Sequence, residues 1–197
     1  MHTFQALPEG YQPLCSIDLQ KNKKLATMIN LAALFIGLAM AAAALPFVPL
    51  SVLFDIEKGT VRFLLRFAAL LAGILLYLLA HELTHAAAMK VFGAKHFKFG
   101  FTGLYAYAGS PTTYFDRRSY LCTALAPLLI WGIVFSVLTA VVPRDWFWVA
   151  YWLQIVNVSG AAGDVYVAVK TIRAPKGTLA QDDGVSMRFY APDPAGS

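Results

Sequence analysis

The chain is poor in charge. Asp, Glu, Lys and Arg together make up 14% of its 197 residues, and hydrophobic residues make up 58%. A soluble domain has about 25% charged residues, so the composition argues against one and predicts a membrane protein. The net charge of +5 does not indicate nucleic-acid binding, because Lys and Arg are scattered between apolar runs instead of gathered on one polar face.

Cysteine is also scarce. Cys15 lies in the polar N-terminal segment and Cys122 in an apolar run, so the sequence predicts no disulfide framework. Three lysines precede the first apolar run, as in an export signal, but uncharged residues continue as far as Phe54. We therefore interpret that run as a membrane span and not as a cleaved signal.

Four stretches are long enough to cross a hydrocarbon core of about 30 Å, which needs about 20 helical residues. They are Leu25 to Pro49, Arg66 to Phe92, Ser119 to Val142, and Trp146 to Ile172. The second is uncharged only from Phe67 to Ala80, so it spans only if the polar residues that follow lie inside the membrane. The sequence predicts an all-α membrane protein with four transmembrane helices and a short β-hairpin-like segment between helices 2 and 3.

Lys and Arg cluster before the first predicted helix, between the second and third, and after the fourth. All three clusters fall on one side of a four-helix topology, and positively charged loops are typically cytoplasmic. We therefore expect a multi-pass integral protein, in a bacterial cell membrane, with both termini cytoplasmic.

The hairpin-like segment has two interpretations. Aromatic residues alternate with small or polar ones from Phe97 through Phe99, Gly100 and Phe101, and the alternation resumes at Tyr105, beyond Gly103. Period-two alternation around a glycine predicts a strand pair. The same aromatics could instead be an anchor at the membrane interface, and the sequence leaves both interpretations open.

One motif carries chemistry: His81-Glu82-Leu83-Thr84-His85. Residues four apart share a helix face, so the two imidazoles can bind one metal ion while Glu82 serves as general base. Ionisable residues at membrane depth are costly and usually functional. The alternative is a polar cluster satisfied by neighbouring helices.

The motif needs a third protein ligand, and no glutamate follows Glu82, which excludes the arrangement with two His and a downstream Glu. At 1.5 Å per residue, His85 lies about 8 Å from the predicted membrane exit of helix 2, and Asp164 about 9 Å from that of helix 4. These helices run in the same direction in the predicted topology, so depth favours Asp164. Cys122 is the best competing ligand, although a lone Cys in an apolar helix is more often a packing residue.

Asn157 precedes Asp164 by seven residues, which places the two on nearly the same helix face. Together these residues resemble the site-2-protease family of intramembrane zinc metalloproteases, in particular a compact branch described as "putative zincin peptidases". That family carries the two-His motif on the first helix of a three-helix core and an Asn-to-Asp motif on the third. The chain departs from the family pattern at Gly163 and Val165, the neighbours of Asp164.

The resemblance implies Zn²⁺ as the cofactor, with His81, His85 and Asp164 as its ligands and Glu82 as the catalytic base. It implies that Asn157 contacts the substrate or the oxyanion, and that Phe99, Gly100 and Phe101 lie in a strand that pairs with an unwound substrate. The expected organisation is an N-terminal cytoplasmic segment 1–24, a transmembrane metalloprotease domain 25–172 with its three-helix core at 66–172, and a cytoplasmic tail 173–197.

The predicted function is hydrolysis of peptide bonds within the bilayer. The expected partners are the lipid bilayer and a transmembrane protein or peptide substrate, with no nucleic acid. The alternative is a catalytically silent zinc-binding membrane protein that recognises or scaffolds membrane segments, although a purely structural site has no need of Glu82. A transporter would require ionisable residues spread along a path, and the sequence has one cluster at one depth.

Overall fold

The structure is a computed structural model that describes residues 3–57, 59–101 and 106–193. The chain divides into two compact units. The sheet unit comprises Met1–Ile29, Glu82–Ala126 and Gly163–Ser197, and the helical unit comprises Asn30–His81 and Pro127–Ala162. Gly103 and Tyr105 of the predicted hairpin, and the end of the tail from Pro194, lie outside the described residues.

The helices are α1 (Lys23–Ala44), α2 (Ser51–Phe54), α3 (Thr60–Val91), α4 (Arg117–Val141), α5 (Phe147–Gly160) and α6 (Ala162–Arg173), with a 3₁₀ turn at Arg144–Trp146. Runs of Leu and Ala, both strong helix formers, account for the long ones. Three of the described helices, α1, α3 and α4, are long and apolar enough to cross a membrane by length and composition.

The predicted fourth span is interrupted. Helix α5 ends at Gly160, Ala161 has ψ of 5°, and α6 begins at Ala162. Glycines stand at Gly160 and Gly163, and glycine costs a helix interior about 1 kcal/mol relative to alanine. The prediction of four continuous transmembrane helices is therefore wrong. The chain forms two shorter helices, α5 and α6, where the sequence predicted one.

The prediction of an all-α fold is also wrong, because the chain forms a six-stranded antiparallel sheet. Its strands are β1 (Thr3–Phe4), β2 (Tyr11–Asp18), β3 (Lys98–Phe101), β4 (Ala106–Asp116), β5 (Leu179–Asp182) and β6 (Ser186–Pro192). The order is β1-β4-β5-β6-β2, with β3 also paired to β4. Both terminal segments thus contribute strands, and the predicted hairpin is one edge of a larger sheet.

Register ties distant parts of the chain together within the sheet unit. Thr3 pairs with Phe115, and Tyr11 pairs with Pro192. A core of buried apolar residues packs the sheet against the helices of this unit, and it comprises Met89, Ala94, Phe115, Tyr120, Ala124, Val167, Ala168, Ala180 and Phe189. Because α3, α4 and α6 each contribute to this core, the sheet fixes the helix ends that carry the candidate site.

The helical unit has small cores and an apolar exterior. Tyr77, Phe135 and Leu153 form one core cluster, and Trp148 anchors another by donating its indole N–H to the Pro49 carbonyl at 3.1 Å. The buried Arg66 donates to the backbone carbonyls of Asp55 and Asp145. Large apolar side chains remain exposed along its three long helices, among them Phe35, Leu76, Ile133 and Val141.

Candidate metal centre

Helix α3 carries the His-Glu-x-x-His motif without a break. His81 is the last residue of the helical unit and Glu82 the first of the sheet unit, so the boundary falls inside the helix. Helical geometry alone therefore sets His81 one turn before His85, on the same face. His85 is buried, whereas His81 and Glu82 are half-buried.

The carboxylate of Asp164 lies beside His85, in the same unit. Its Oδ1 is 3.5 Å from His85 Nε2. Asp164 stands in the first turn of α6, where the helix dipole favours a negative charge. Each of His81, His85 and Asp164 offers a ligand atom, and these atoms all lie within 4.8 Å of one another.

These three residues fit a zinc ion chemically. Two imidazoles and a carboxylate are a known catalytic zinc donor set, with the fourth position of the tetrahedron left for water or substrate. Ligand atoms about 2.0–2.1 Å from one tetrahedral ion are roughly 3.3–3.4 Å apart. The 3.5 Å between His85 Nε2 and Asp164 Oδ1 matches that spacing closely.

His85 is oriented by helix α4. Its Nδ1 lies 3.0 Å from the backbone carbonyl oxygen of Thr123. A carbonyl can only accept, so Nδ1 carries the hydrogen and Nε2 carries the lone pair that a metal requires. Thr123 stands four residues before Pro127, and proline has no N–H to donate to that carbonyl.

His81 is oriented by Tyr77, one turn earlier on α3. The Tyr77 hydroxyl donates to Asn157 Oδ1 at 2.9 Å and lies 2.9 Å from His81 Nδ1. Tyr77 has one hydroxyl hydrogen, so when Asn157 receives it, His81 Nδ1–H is the donor to Tyr77. Nε2 of His81 is then also the metal-binding nitrogen.

Glu82 lines a cavity of about 190 Å³ together with His85 and Asp164. All the residues that line it belong to the sheet unit. Residues of the β5–β6 hairpin also line it, and there Asp182 accepts hydrogen bonds from the Tyr120 hydroxyl at 2.9 Å and the Gly184 N–H at 2.8 Å. Burial raises the pKa of Asp182 above its usual value, and these two hydrogen bonds offset only part of that shift.

The other predicted site residues do not line this cavity. Asn157 is fully buried on α5, where its Nδ2 donates to the Leu128 carbonyl at 3.2 Å, so both ends of its amide have protein partners. Phe99 and Phe101 are exposed on β3, and among the described strands β3 pairs with β4 alone. Roles of these residues in substrate binding stay predictions. The competing ligand Cys122 is exposed and lies outside the described metal group.

Sequence reasoning missed Tyr77, Thr123 and Asp182. Tyr77 stands four residues before His81, a spacing that places it on the face of the motif, so a signal for it existed. The carbonyl of Thr123 could have been found from Pro127, because a proline inside a helix leaves the carbonyl four residues earlier without its helical donor. Nothing in the sequence brings Asp182 to the site, since that requires the sheet.

Comparison with family models agrees with this geometry. Residues 74–179, more than half of the chain, match the family described as "Putative zincin peptidase". The chain belongs to this family, and the matched range contains the motif on α3 and Asp164. No curated protein and no solved structure gives a significant match.

Proposed function

We propose that the protein is an intramembrane zinc metallopeptidase, similar to site-2 proteases, that hydrolyses peptide bonds of transmembrane substrates. The observation that carries this proposal is the approach of the Asp164 carboxylate to within 3.5 Å of His85 Nε2, in a cavity that Glu82 also lines. The motif lies on one of the helices that are apolar enough to cross a membrane, which supports placing the chemistry inside the bilayer.

His81, His85 and Asp164 would hold the ion. When bound, zinc supplies Lewis acidity, which lowers the pKa of a water molecule toward 7 and polarises a peptide carbonyl. Glu82 would take the proton from that water and later return it to the leaving amine. Thr123 and Tyr77 would hold the two imidazoles in the tautomer that presents Nε2, through the contacts described above.

A transmembrane helix hides its peptide bonds in internal hydrogen bonds, so a substrate must become extended before it can be cut. Strand β3 supports this step, because its second edge carries no strand partner among the described residues. An extended peptide can add to such an edge through backbone hydrogen bonds. The exposed side chains of Phe99 and Phe101 would then contact the substrate beside this edge.

The test is a pair of glutamate variants in proteoliposomes with a labelled transmembrane substrate. Glu82→Gln should keep zinc, measured by elemental analysis, and lose cleavage by a factor of about 100 or more, because general base catalysis contributes about 10²–10⁴-fold. Glu9→Gln is the matched control, since Glu9 is exposed and remote in sequence from the motif. Undiminished cleavage by the Glu82 variant would refute the mechanism, and zinc binding by a wild-type protein that cuts nothing would favour the catalytically silent alternative.

A further inference from the structure

The cavity beside the candidate metal group has an apolar lining that the chemistry of hydrolysis does not use. Ile17, Ile29, Ala108, Val167, Val185 and Met187 contribute to its walls. Its volume is about 190 Å³, and an apolar cavity of about 150 Å³ is large enough to bind benzene. The space therefore fits one side chain the size of leucine, methionine or phenylalanine.

One wall of the cavity is closely packed. Tyr107 lines it, and the ring of Tyr107 lies between two glycines. A Cβ at Gly100 would stand 2.4 Å from Tyr107 Oη, and a Cβ at Gly184 would stand 2.4 Å from Tyr107 Cδ2. Gly184 also has φ of +86°, which disfavours any other residue. Both positions therefore need glycine if the tyrosine ring is to stay in place.

One wall comes from a part of the chain outside the family match. The match ends at residue 179, whereas Asp182, Val185, Ser186 and Met187 of the β5–β6 hairpin all line the cavity. Asp182 is the carboxyl group of this wall, and its two oxygens already accept hydrogen bonds from Tyr120 and Gly184. Apolar residues outnumber charged ones in the lining, which favours an apolar occupant.

Resting on the proposed function, we propose that this cavity is a substrate subsite that takes one apolar side chain next to the scissile bond. The C-terminal hairpin sets its size, and Val185 is the residue that determines specificity. The occupant is a leucine, methionine or phenylalanine side chain of the extended substrate.

The test measures binding, so that it does not depend on turnover. Labelled peptides that carry Leu, Phe, Ala, Lys or Asp at one position are titrated against zinc-loaded Glu82→Gln protein. Leu and Phe should bind best. Adding Val185→Phe should weaken the Leu and Phe peptides about tenfold or more relative to the Ala peptide, as changes of one or a few methylenes in a pocket do, and Val185→Ala should not.

Val169→Phe is the matched control, because Val169 is an exposed valine of the same unit that does not line the cavity. A preference for Lys, or the same ranking in the Val185→Phe background, would overturn the subsite. Either result would leave zinc binding and cleavage by the wild type untouched. Loss of cleavage with the subsite ranking intact would instead count against the proposed function.

Pro127 leaves one carbonyl of α4 without its helical hydrogen-bond donor. This proline lies inside α4, and the carbonyl of Thr123, four residues earlier, would be its acceptor in an ordinary helix. Instead that carbonyl accepts Nδ1–H of His85 at 3.0 Å. We infer that Pro127 is a positioning residue: by withholding its own N–H, it keeps the Thr123 carbonyl available to orient His85.

The experiment distinguishes the effect of the missing backbone N–H from the effect of the proline ring. Pro127→Ala supplies the N–H, whereas replacement of Pro127 by the α-hydroxy analogue of alanine removes the ring without supplying it. In Pro127→Ala, zinc affinity should fall about 10–100-fold, as it does when a metal-ligating histidine loses its hydrogen-bond partner. In the hydroxy-acid variant, zinc affinity should stay near that of the wild type. The Nδ1–H signal of His85 in ¹⁵N-histidine spectra of metal-free protein should shift in the first variant alone. Equal loss of affinity in both, or in neither, would overturn the inference.

Discussion

The two units bury their apolar residues in opposite ways. In the sheet unit Phe115 is 0% exposed and Phe189 2%, whereas in the helical unit Phe35 is 74% exposed and Leu76 67%. An apolar exterior of this kind is unfavourable in water and normal in lipid. The surface of the helical unit therefore suits an apolar environment, whereas the sheet unit has an interior of the kind found in soluble proteins.

Each unit also contains one histidine of the motif. The sheet unit holds Glu82, His85 and Asp164 and the cavity beside them. In the helical unit His81 contacts the hydroxyl of Tyr77, and that hydroxyl donates to Asn157. Each histidine thus has its orienting contact inside its own unit.

The largest effect expected is on the metal ligands of the sheet unit. Structural zinc sites bind with about 10–16 kcal/mol, so one ligand of four accounts for roughly 2.5–4 kcal/mol. Asp164→Asn replaces a carboxylate with a neutral amide and should weaken zinc binding several hundredfold, measured by chelator competition. Asp193→Asn, outside the described metal group, is the control. Equal affinity in the two variants would remove Asp164 from the site.

A charged substitution in each unit tests the contrast between the surface of the helical unit and that of the sheet unit. Leu76→Arg places a cation on an exposed position of α3 in the helical unit and should cost about 2.5–3.5 kcal/mol if that position faces lipid. Leu14→Arg, at an exposed position of β2, should change stability by no more than about 0.5 kcal/mol. Membrane insertion and unfolding in detergent measure both, and similar costs would contradict the contrast.

Tyr77 tests whether the helical unit takes part in metal binding. Tyr77→Phe removes the hydroxyl that contacts both His81 and Asn157 while it keeps the ring in its core cluster. We expect zinc affinity to fall about 10–100-fold, as for other outer-shell partners, with little change in unfolding. Unchanged affinity would mean that His81 needs no partner in this unit.

The smallest effect concerns Asp182. Its raised pKa means that the native state holds the proton more tightly than the unfolded chain, so the stability it contributes is complete below about pH 3.8 and is lost as pH rises through the native pKa. Asp182→Asn cannot lose a proton. Between pH 4 and 8, metal-free wild type should therefore lose stability relative to this variant, as measured by thermal unfolding, and a relative gain would contradict the assignment.

Local patterns in the sequence predicted the parts of the molecule that depend on neighbours along the chain. The apolar runs of α1, α3 and α4 and the helical motif at His81–His85 follow from side chains a few residues apart. The predicted depth of Asp164 assumes a continuous fourth helix, which the structure does not contain. Nevertheless the Asp164 carboxylate lies next to His85. Asp164 stands in the first turn of α6, which forms the C-terminal part of the predicted fourth helix.

The whole sheet could not be predicted, because its β1–β4, β2–β6 and β4–β5 pairings join segments that are far apart in the sequence. Tyr11 pairs with Pro192, and Ser110 with Asp182. The sequence by itself determined the apolar helices and which residue types could hold a metal, since both depend on periodicity. Tertiary structure alone decided which carbonyl and which hydroxyl orient the histidines and which hairpin closes the cavity, since those contacts join residues that no local spacing relates.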